Sequence, residues 1–347
     1  MENRVKLVLK DNVLAVLSDG ELSTVSGAIY NGGFRRTRAI VNVEVPESYG
    51  DRKLHEDPIA FVKASAKKLG LTSYFVGMVT AAKIKNFSLV KKARGDLTVC
   101  VIATAGCSHA ESAGETIMVE EIEGTINVII VVDGDPTESC LVAALATAVE
   151  AKAAAMRELD IRSRYTGDSA TGTITDSVVV AATNVGAKIV LGGPASELGQ
   201  LVGHCVRRAV KEAITNQGEC LQLRSVAERL QERHLPVKKL VSELCKVKGL
   251  GFDEATLTLR LKVILKDPFA ASVVLAAVKL DEDVEKGLVP SELAETDVLA
   301  RRFGSLLTIE PVKKADLEAV NLPPFLREVL VALLKKAVSG EKSESLK

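Results

Sequence analysis

Threonines alternate with other residues along positions 170–177, where the sequence reads Ala-Thr-Gly-Thr-Ile-Thr-Asp-Ser. Side chains of an extended strand point alternately to opposite faces, so Thr171, Thr173 and Thr175 are expected on one face and Asp176 on the other. Gly172 stands within this row, and a glycine inside a strand often marks the close approach of a ligand or a second backbone. The pattern predicts a row of hydroxyl groups beside one carboxylate at a strand end.

Such groups suit the hydrolysis of an amide. The reaction needs an activated water or nucleophile, hydrogen-bond donors for the oxyanion and a proton for the departing amine. Either Glu150 or Asp176 can supply a carboxylate, and glycine-rich turns can supply backbone N–H donors. The candidate hydroxyls are those of Thr104, Ser108, Thr125, Thr171, Thr173 and Thr175. Residue types alone do not choose among them.

Glu150 and Asn127 stand in apolar surroundings. Glu150 lies in the alanine-rich stretch 140–156 and shares a helix face with Thr147. If that face is buried, Glu150 needs a partner and is a candidate general acid or base, whereas the alternative is that Glu150 and Lys152 face solvent. Asn127 lies in an apolar strand, where its amide must be satisfied by a ligand or by a neighbouring turn.

Composition excludes several classes of protein. Lys plus Arg equals Asp plus Glu at 45 each, and aromatic residues are 3% with no tryptophan, so a nucleic-acid partner is not expected. The first residues lack the regions of a signal peptide, which predicts a cytoplasmic protein. The stretch 140–156 is too short and too charged to span a membrane. The six cysteines form no Cys-x-x-Cys pair, as expected for reduced thiols.

The sequence also lacks the common metal and nucleotide motifs. It contains no His-Glu-x-x-His, no Walker loop and no Gly-x-Gly-x-x-Gly. We therefore expect no cofactor in the first part of the chain. His109 follows a strand in a glycine-bearing loop, but a single histidine is more often structural than catalytic.

The order of elements predicts an α+β first domain. Residues 5–45 read as short strands separated by turns, which favours antiparallel pairing. Helices are expected at 58–69, 136–159 and 197–214, capped by Asp57, Asp135 and Ser196. Further strands are expected near residues 72–80, 97–103, 125–132, 173–182 and 188–191. The predicted fold is a mixed, largely antiparallel sheet flanked by helices.

The pattern changes after Asn216. From Leu221 onward apolar residues recur at helical spacing, as at Leu257, Leu261 and Ile264. We therefore predict two domains, residues 1–220 and a small all-α domain at residues 221–347.

Several short motifs follow one another through the first domain. They are Asn31-Gly32-Gly33, Val76-Gly77-Met78-Val79-Thr80, Thr104-Ala105-Gly106, Gly124-Thr125-Ile126-Asn127, Glu150-Ala151-Lys152, Ala170-Thr171-Gly172-Thr173 with Thr175-Asp176, and Leu198-Gly199. Together they resemble the adenosylcobinamide amidohydrolases of corrinoid salvage. The resemblance implies hydrolysis of the amide that joins aminopropanol to the corrin ring of adenosylcobinamide, which releases adenosylcobyric acid.

With this resemblance, site residues can be assigned. The expected catalytic residues are Glu150, Asp176, Thr171, Thr173 and Thr175. The expected substrate-binding residues are Asn31, Gly32, Gly33, Thr104, Ser108, His109, Thr125, Asn127 and Lys152. Many relatives have asparagine where His109 stands, which argues against a universal catalytic role for this position.

The helical domain carries Leu265-Lys266-Asp267-Pro268, Leu280-Asp281 and Glu295-Thr296-Asp297. These segments are similar to the phosphatidylglycerophosphatase A-like fold of some archaeal α-ribazole-phosphate phosphatases. The likeness implies a bifunctional corrinoid-salvage enzyme, whose second activity is a phosphatase acting on α-ribazole 5'-phosphate or adenosylcobalamin phosphate. Mg²⁺ would be held by Glu295 and Asp297. Val298 stands where relatives have glutamate, and the alternative is a salt-bridged surface helix.

Two other interpretations stay open. Self-cleavage before Thr125 or Thr171 would create an N-terminal threonine nucleophile. A corrinoid-binding protein without turnover would use the same polar site, with His109 approaching cobalt. In each case the partner is a corrinoid small molecule, and a homo-oligomer is compatible with the sequence.

Overall fold

The computed structural model describes residues 4–46, 56–115, 124–218, 223–289, 296–307 and 313–344. The chain divides into two compact units, residues 1–222 and 223–347. The first is built on a sheet and the second on helices. This is the predicted α+β class with a helical C-terminal region.

The described strands all belong to the first unit. In chain order they are β1 (Val5–Lys10), β2 (Val13–Ser26), β3 (Gly33–Glu44), β4 (Phe75–Thr80), β5 (Ser88–Arg94), β6 (Leu97–Ala105), β7 (Ala110–Glu111), β8 (Ile126–Asp133), β9 (Asp135–Pro136), β10 (Gly172–Thr173), β11 (Ser177–Ala182) and β12 (Lys188–Ile189).

One eight-stranded sheet forms the centre of this unit. Its order is β4-β3-β2-β11-β8-β6-β5, with β1 paired to β2. The pairs β3/β4 and β8/β11 are parallel, and the other neighbours in this sheet are antiparallel. Short pairs β7/β10 and β9/β12 lie outside it. The predicted mixed, largely antiparallel sheet is confirmed.

Three helices pack on this sheet: α1 (Pro58–Lys67), α2 (Glu138–Glu158) and α3 (Glu197–Asn216). Alternate residues of β6, β8 and β11 share a buried apolar cluster with α2 and α3. Alanines at 144, 148, 151 and 155 of α2 are buried, and their small side chains let the helix approach its neighbours closely. This alanine-rich helix is therefore buried against the sheet.

Contacts between non-adjacent strands show that the sheet folds over on itself. The amide nitrogen of Asn127 on β8 donates to Asn42 Oδ1 on β3, at 2.8 Å, and also to the Val79 carbonyl on β4. In a flat sheet three strand spacings would separate β3 from β8, roughly 14 Å. A second buried cluster fills the space between the two halves, with Ile40 and Met78 on one side and Ile129 and Val179 on the other. Asn42 and Asn127 therefore form a polar layer inside an apolar sandwich.

The structure corrects one predicted helix cap. Asp57 and Ser196 cap α1 and α3 as expected, by accepting from Ala60 N and Gly199 N. Asp135, however, lies in β9, which pairs with β12. The cap of α2 is Thr137, whose hydroxyl accepts from Cys140 N at 3.2 Å. Strand pairing overrides the local cap signal of Asp135.

The strand predicted at 173–182 is correct from Ser177 onward but is interrupted before it. Gly172–Thr173 forms β10, residues 174 and 175 form a turn, and β11 begins at Ser177. Thr171, Thr173 and Thr175 therefore do not line one face of a single strand.

The second unit consists of short and medium helices. They are α4 (Val226–Gln231), α5 (Val237–Leu244), α6 (Glu254–Ile264), α7 (Pro268–Glu285), α8 (Thr296–Ser305) and α9 (Pro324–Glu344). Asp281 on α7 accepts from the backbone N–H groups of Phe325 and Leu326, both at 2.8 Å, and so holds the start of α9. Burial raises the pKa of Asp281 to about 6, although these hydrogen bonds act in the opposite direction.

Within the described residues, α2 alone is long and apolar enough to cross a membrane by length and composition. Half of its most apolar window is buried inside the protein. Core helices often pass the same test.

The polar layer gives a first prediction. Asn42→Ala removes the partner of Asn127 and of Thr104, whose hydroxyl accepts from Asn42 Nδ2 at 2.9 Å. We expect the free energy of unfolding to fall by about 1–3 kcal/mol, because buried polar groups lose their partners. Denaturation with urea measures this change. The matched control, Asn216→Ala, alters an exposed side chain and should change stability by no more than about 0.5 kcal/mol. Equal stability of the two variants would contradict the role of the layer.

Candidate functional site

A buried ion pair lies at the centre of the candidate site. Lys152 Nζ on α2 contacts Asp176 Oδ2, and the two side chains are 8% and 11% exposed. Asp176 also accepts from Ile126 N at 2.8 Å, from Thr173 N at 3.0 Å and from the Thr173 hydroxyl. Four donors surround one carboxylate, which is close to its full acceptor capacity. Asp176 is therefore held as an anion that fixes the position of Lys152.

Local structure explains how the chain builds this pair. The turn at residues 174 and 175 brings Asp176 back towards the backbone of Thr173, so that an aspartate side chain closes the turn. The start of β8 supplies Ile126 N, and α2 supplies Lys152 from its buried face. The family-like motifs around residues 124–127, 150–152 and 170–176 thus meet at one place.

Gly172 leaves the space that the ion pair occupies. A methyl group at this position would overlap Lys152 Nζ and Asp176 Oδ2. The sequence pattern predicted that this glycine marks a close approach, and the approaching groups are these two charged side chains.

Two threonines are next in sequence to residues of this cluster: Thr125 precedes Ile126, whose N–H binds Asp176, and Thr175 precedes Asp176 itself. Thr125 Oγ1 and Thr175 Oγ1 are 2.7 Å apart, and the Thr175 hydroxyl also donates to the Gly124 carbonyl at 3.3 Å. Gly124 has a φ of +86°, and a Cβ there would lie 2.7 Å from the Gly106 carbonyl oxygen, so a larger residue would be both strained and crowded. The segments that carry Thr125 and Asp176 are thus in contact, and the roles predicted for these residues stay predictions.

Glu111 is the carboxylate that the sequence analysis missed. It lies on β7 directly opposite Gly172 on β10. Burial raises the pKa of Glu111, the charges of Asp176 and Glu115 add to this effect, and Lys152 partly offsets it. No sequence motif marks Glu111, because its neighbourhood arises from the pairing of two distant segments.

His109 lies in a different hydrogen-bonded group. It is 4% exposed, and its ring nitrogen contacts the guanidinium of Arg164. Nearby, Glu115 accepts from the hydroxyls of Ser163 and Thr166. Burial acts against the charge of Glu115, but these hydrogen bonds and one from Ser112 N outweigh it and lower its pKa. These contacts tie together the loop that carries β7.

Asn127 and Thr104 belong to the polar layer inside the sandwich. The Asn127 amide makes two donor contacts, and its oxygen accepts from Ser177 N at 3.1 Å. The sequence left open whether a ligand or the protein itself satisfies the amide of Asn127. In the structure, groups of the protein satisfy it.

The Asn31-Gly32-Gly33 turn is joined to β4. Asn31 Nδ2 donates to the Phe75 carbonyl at 2.9 Å, and a Cβ at Gly32 would overlap the Ala28 carbonyl. The hydrogen bonds of this turn hold the sheet together, so its predicted substrate contact stays a prediction.

The remaining candidates are Glu150, Ser108 and Thr171, and among the described residues their side chains make no hydrogen bond to Lys152 or Asp176. Glu150 is exposed on α2, because helical spacing turns Ala148, Ala151 and Lys152 inward instead. Ser108 is exposed, and the Thr171 hydroxyl accepts from Ala113 N at 3.0 Å. The catalytic role predicted for Glu150 is untested, and its side chain lies outside the group that binds Asp176.

The second unit does not assemble the predicted magnesium ligands within the described residues. Glu295 lies outside that part of the chain. Asp297 on α8 pairs with Arg327 at 3.1 Å. No cluster of three or more histidine, cysteine, aspartate or glutamate side chains suited to a metal occurs among the described residues. The magnesium site stays a prediction.

A surface groove of about 440 Å³ lies elsewhere on the first unit. It is lined by Leu9, Lys10, Asp11, Asn12, Glu44, Lys83, Ile84 and Lys85. None of the predicted site residues lines it.

Comparisons with known proteins agree with the motif pattern. Residues 2–221 match the adenosylcobinamide amidohydrolase family. The chain is 27% identical over 220 residues to an adenosylcobinamide amidohydrolase of Methanosarcina mazei, covering 61% of this chain and 98% of that protein. It is 28% identical over 207 residues to an uncharacterized protein of Methanocaldococcus jannaschii, covering 53% of this chain and 80% of that one. A Burkholderia beta-aminopeptidase structure aligns with 62% of this chain and 78% of its own, at 12% identity and a TM-score of 0.32. That likeness is too low to support an argument.

Gly172→Ala tests the packing of the ion pair. The added methyl group must displace Lys152 or Asp176, so we expect a loss of about 1–3 kcal/mol in the free energy of unfolding. Urea denaturation provides the measurement. Gly203→Ala on α3 is the matched control, since its Cβ would meet only Thr147 Cγ2 at 3.9 Å, and alanine should stabilise this helix by about 0.5–1 kcal/mol. If Gly172→Ala is as stable as the native protein, the ion pair is not packed against Gly172.

Proposed function

Because the chain belongs to the adenosylcobinamide amidohydrolase family, we propose that its first unit hydrolyses the aminopropanol amide of adenosylcobinamide. The products are adenosylcobyric acid and free aminopropanol. The observation that supports this proposal most strongly is the convergence of Lys152, Asp176 and the Thr125–Thr175 hydroxyl pair within the matched segment.

Lys152 suits the task of stabilising the oxyanion. Amide hydrolysis moves negative charge onto the carbonyl oxygen, and a preoriented cation in a water-poor site stabilises that charge. Asp176 occupies one of the three N–H donors of the ammonium group and keeps it oriented. The remaining donors serve the substrate carbonyl in this mechanism.

The Thr125–Thr175 pair suits the positioning of the attacking water. A hydroxyl can donate one hydrogen bond and accept others, so two adjacent hydroxyls can bind a water molecule in a fixed orientation. Attack on the carbonyl carbon forms a C–O bond and places the carbonyl electron pair on oxygen. Collapse of this intermediate breaks the C–N bond, and the nitrogen leaves as an amine after it receives a proton.

Incubation of the full chain with adenosylcobinamide tests the proposal. Chromatography should resolve adenosylcobyric acid and an equimolar amount of aminopropanol. Binding of adenosylcobinamide with no release of aminopropanol would contradict hydrolysis and favour a corrinoid-binding protein.

Replacement of the two acidic candidates separates their roles. Asp176→Asn removes the anion that orients Lys152, and we expect kcat to fall by about 100-fold or more. Glu150→Gln changes an exposed side chain outside the cluster, and we expect kcat within about threefold of the native value. Steady-state kinetics with adenosylcobinamide measure both. If Glu150→Gln lowered kcat strongly and Asp176→Asn left it nearly unchanged, Glu150 would be the catalytic carboxylate.

Intact mass distinguishes water attack from an N-terminal threonine nucleophile. The mechanism with water needs no chain cleavage, so active protein should show a single species of 36.9 kDa. Two fragments that divide before Thr125 would show self-cleavage and make Thr125 the nucleophile.

Other features stay predictions from sequence. They are the phosphatase activity of residues 221–347 with its Mg²⁺, a homo-oligomeric state and a cytoplasmic location.

A further inference from the structure

We propose that Glu111 is the proton carrier of this site, taking a proton from the attacking water and giving it to the departing amine. This inference rests on the proposed amide hydrolysis. It assigns a role that neither Asp176 nor Lys152 fills, and it begins from the pairing of two short strands.

The β7/β10 pair places Glu111 beside the ion pair. Glu111 and Gly172 are directly opposite in antiparallel register. Residues opposite each other in such a pair project to the same face, with Cβ positions about 4.5–5.5 Å apart. The Cβ position of Gly172 points into Lys152 Nζ and Asp176 Oδ2. The Glu111 side chain therefore projects to the face on which the ion pair lies.

Asp176 is poorly suited to carry the proton. Its carboxylate accepts from Ile126 N, from Thr173 N and hydroxyl, and from Lys152. Protonation would require one of these donors to be given up. By contrast, no donor among the described residues bonds to the carboxylate of Glu111, which is half-buried.

The charges around Glu111 also suit proton transfer. Asp176 and Glu115 are the anions that face it, and Lys152 is the cation. Partial burial raises the pKa of Glu111, the two anions raise it further and Lys152 partly offsets them, so that Glu111 is a better base than an ordinary glutamate. A general acid or base works best with its pKa near the working pH.

The proposed step balances. The Glu111 carboxylate accepts a proton as the water oxygen bonds to the carbonyl carbon. The carbonyl π electrons move to oxygen beside Lys152. When they return, the C–N bonding pair goes to nitrogen, which takes the proton from the Glu111 carboxylic acid. Glu111 is ionised again, the amine departs, and the product carboxylic acid loses its own proton to solvent.

Glu111→Gln is the decisive variant. Glu111 holds the β7/β10 pair through its backbone, since its carbonyl accepts from Thr171 N at 2.8 Å, so the side-chain change leaves that bond in place. We expect kcat to fall by about 100-fold, with KM little changed. Glu138→Gln, at an exposed position in the first turn of α2, is the matched control and should retain native activity.

The pH profile adds a readout that a structural role would not move. Glu111 must be ionised to accept the proton, so native activity should be lost as pH falls through its raised pKa. The residual activity of Glu111→Gln should lack this acidic limb. Carbon NMR titration of the Glu111 carboxyl gives a test independent of turnover, and its pKa should fall in Asp176→Asn because one facing anion is removed.

The outcomes separate the two proposals. If the native protein hydrolyses adenosylcobinamide and the Glu111→Gln variant is equally active, the role of Glu111 is overturned but the proposed hydrolysis stands. A native protein that releases no aminopropanol overturns amide hydrolysis, and the proton-carrier role falls with it. An ordinary Glu111 pKa that does not change in Asp176→Asn contradicts the proposed placement of Glu111 even if the enzyme is active.

Discussion

The buried Lys152–Asp176 ion pair is the interaction on which the polar site depends. An isolated ammonium group in a protein interior is strongly disfavoured, and it is tolerated when a carboxylate pairs with it and hydrogen bonds satisfy both. Here three separate segments supply the donors that surround the carboxylate, namely α2, the start of β8 and the turn after β10, whereas the other N–H donors of Lys152 are the ones assigned to the substrate. The same requirement fixes glycine at position 172, because any larger side chain would occupy the space of the charged atoms. One arrangement thus imposes a structural constraint and supplies the cation of the proposed mechanism.

The folded sheet explains why polar groups gather at this end of the first unit. Its two halves enclose an apolar cluster, and Asn127 and Asn42 close one layer of that cluster through the hydrogen bond that Asn127 Nδ2 donates to Asn42 Oδ1. Ser177 lies beside Asn127 in the β8/β11 register and directly follows Asp176, so the internal polar layer at the start of β11 is next in sequence to the ion pair. A substitution in the polar layer is therefore expected to disturb the ion pair, and a substitution in the ion pair to disturb the polar layer. This coupling gives Asn127 a structural reason to be polar, apart from any contact with substrate.

The sequence predicted features that depend on residues close together in the chain, such as two of the helix caps. Asp57 and Ser196 act as helix caps because a cap needs only a side-chain acceptor and a nearby N–H group. Asp135 offered the same signal, yet its pairing with Lys188 on β12 placed it in a strand. The threonine row failed as a strand because Asp176 closes a turn onto Thr173. The burial of Lys152 and the position of Glu111 depend on contacts across 24 residues or more, which spacing in one sequence does not reveal. Three of the segments chosen by motif resemblance, 124–127, 150–152 and 170–176, do meet in the structure.

A crystal structure of the full chain with unhydrolysed adenosylcobinamide, trapped in the Glu111→Gln variant, tests the central claim most directly. The account predicts that the aminopropanol amide lies within hydrogen-bonding reach of Lys152 and beside Thr125 and position 111. A corrinoid bound elsewhere on the first unit, with no contact to residues 111, 124–127, 152 or 172–177, would contradict it.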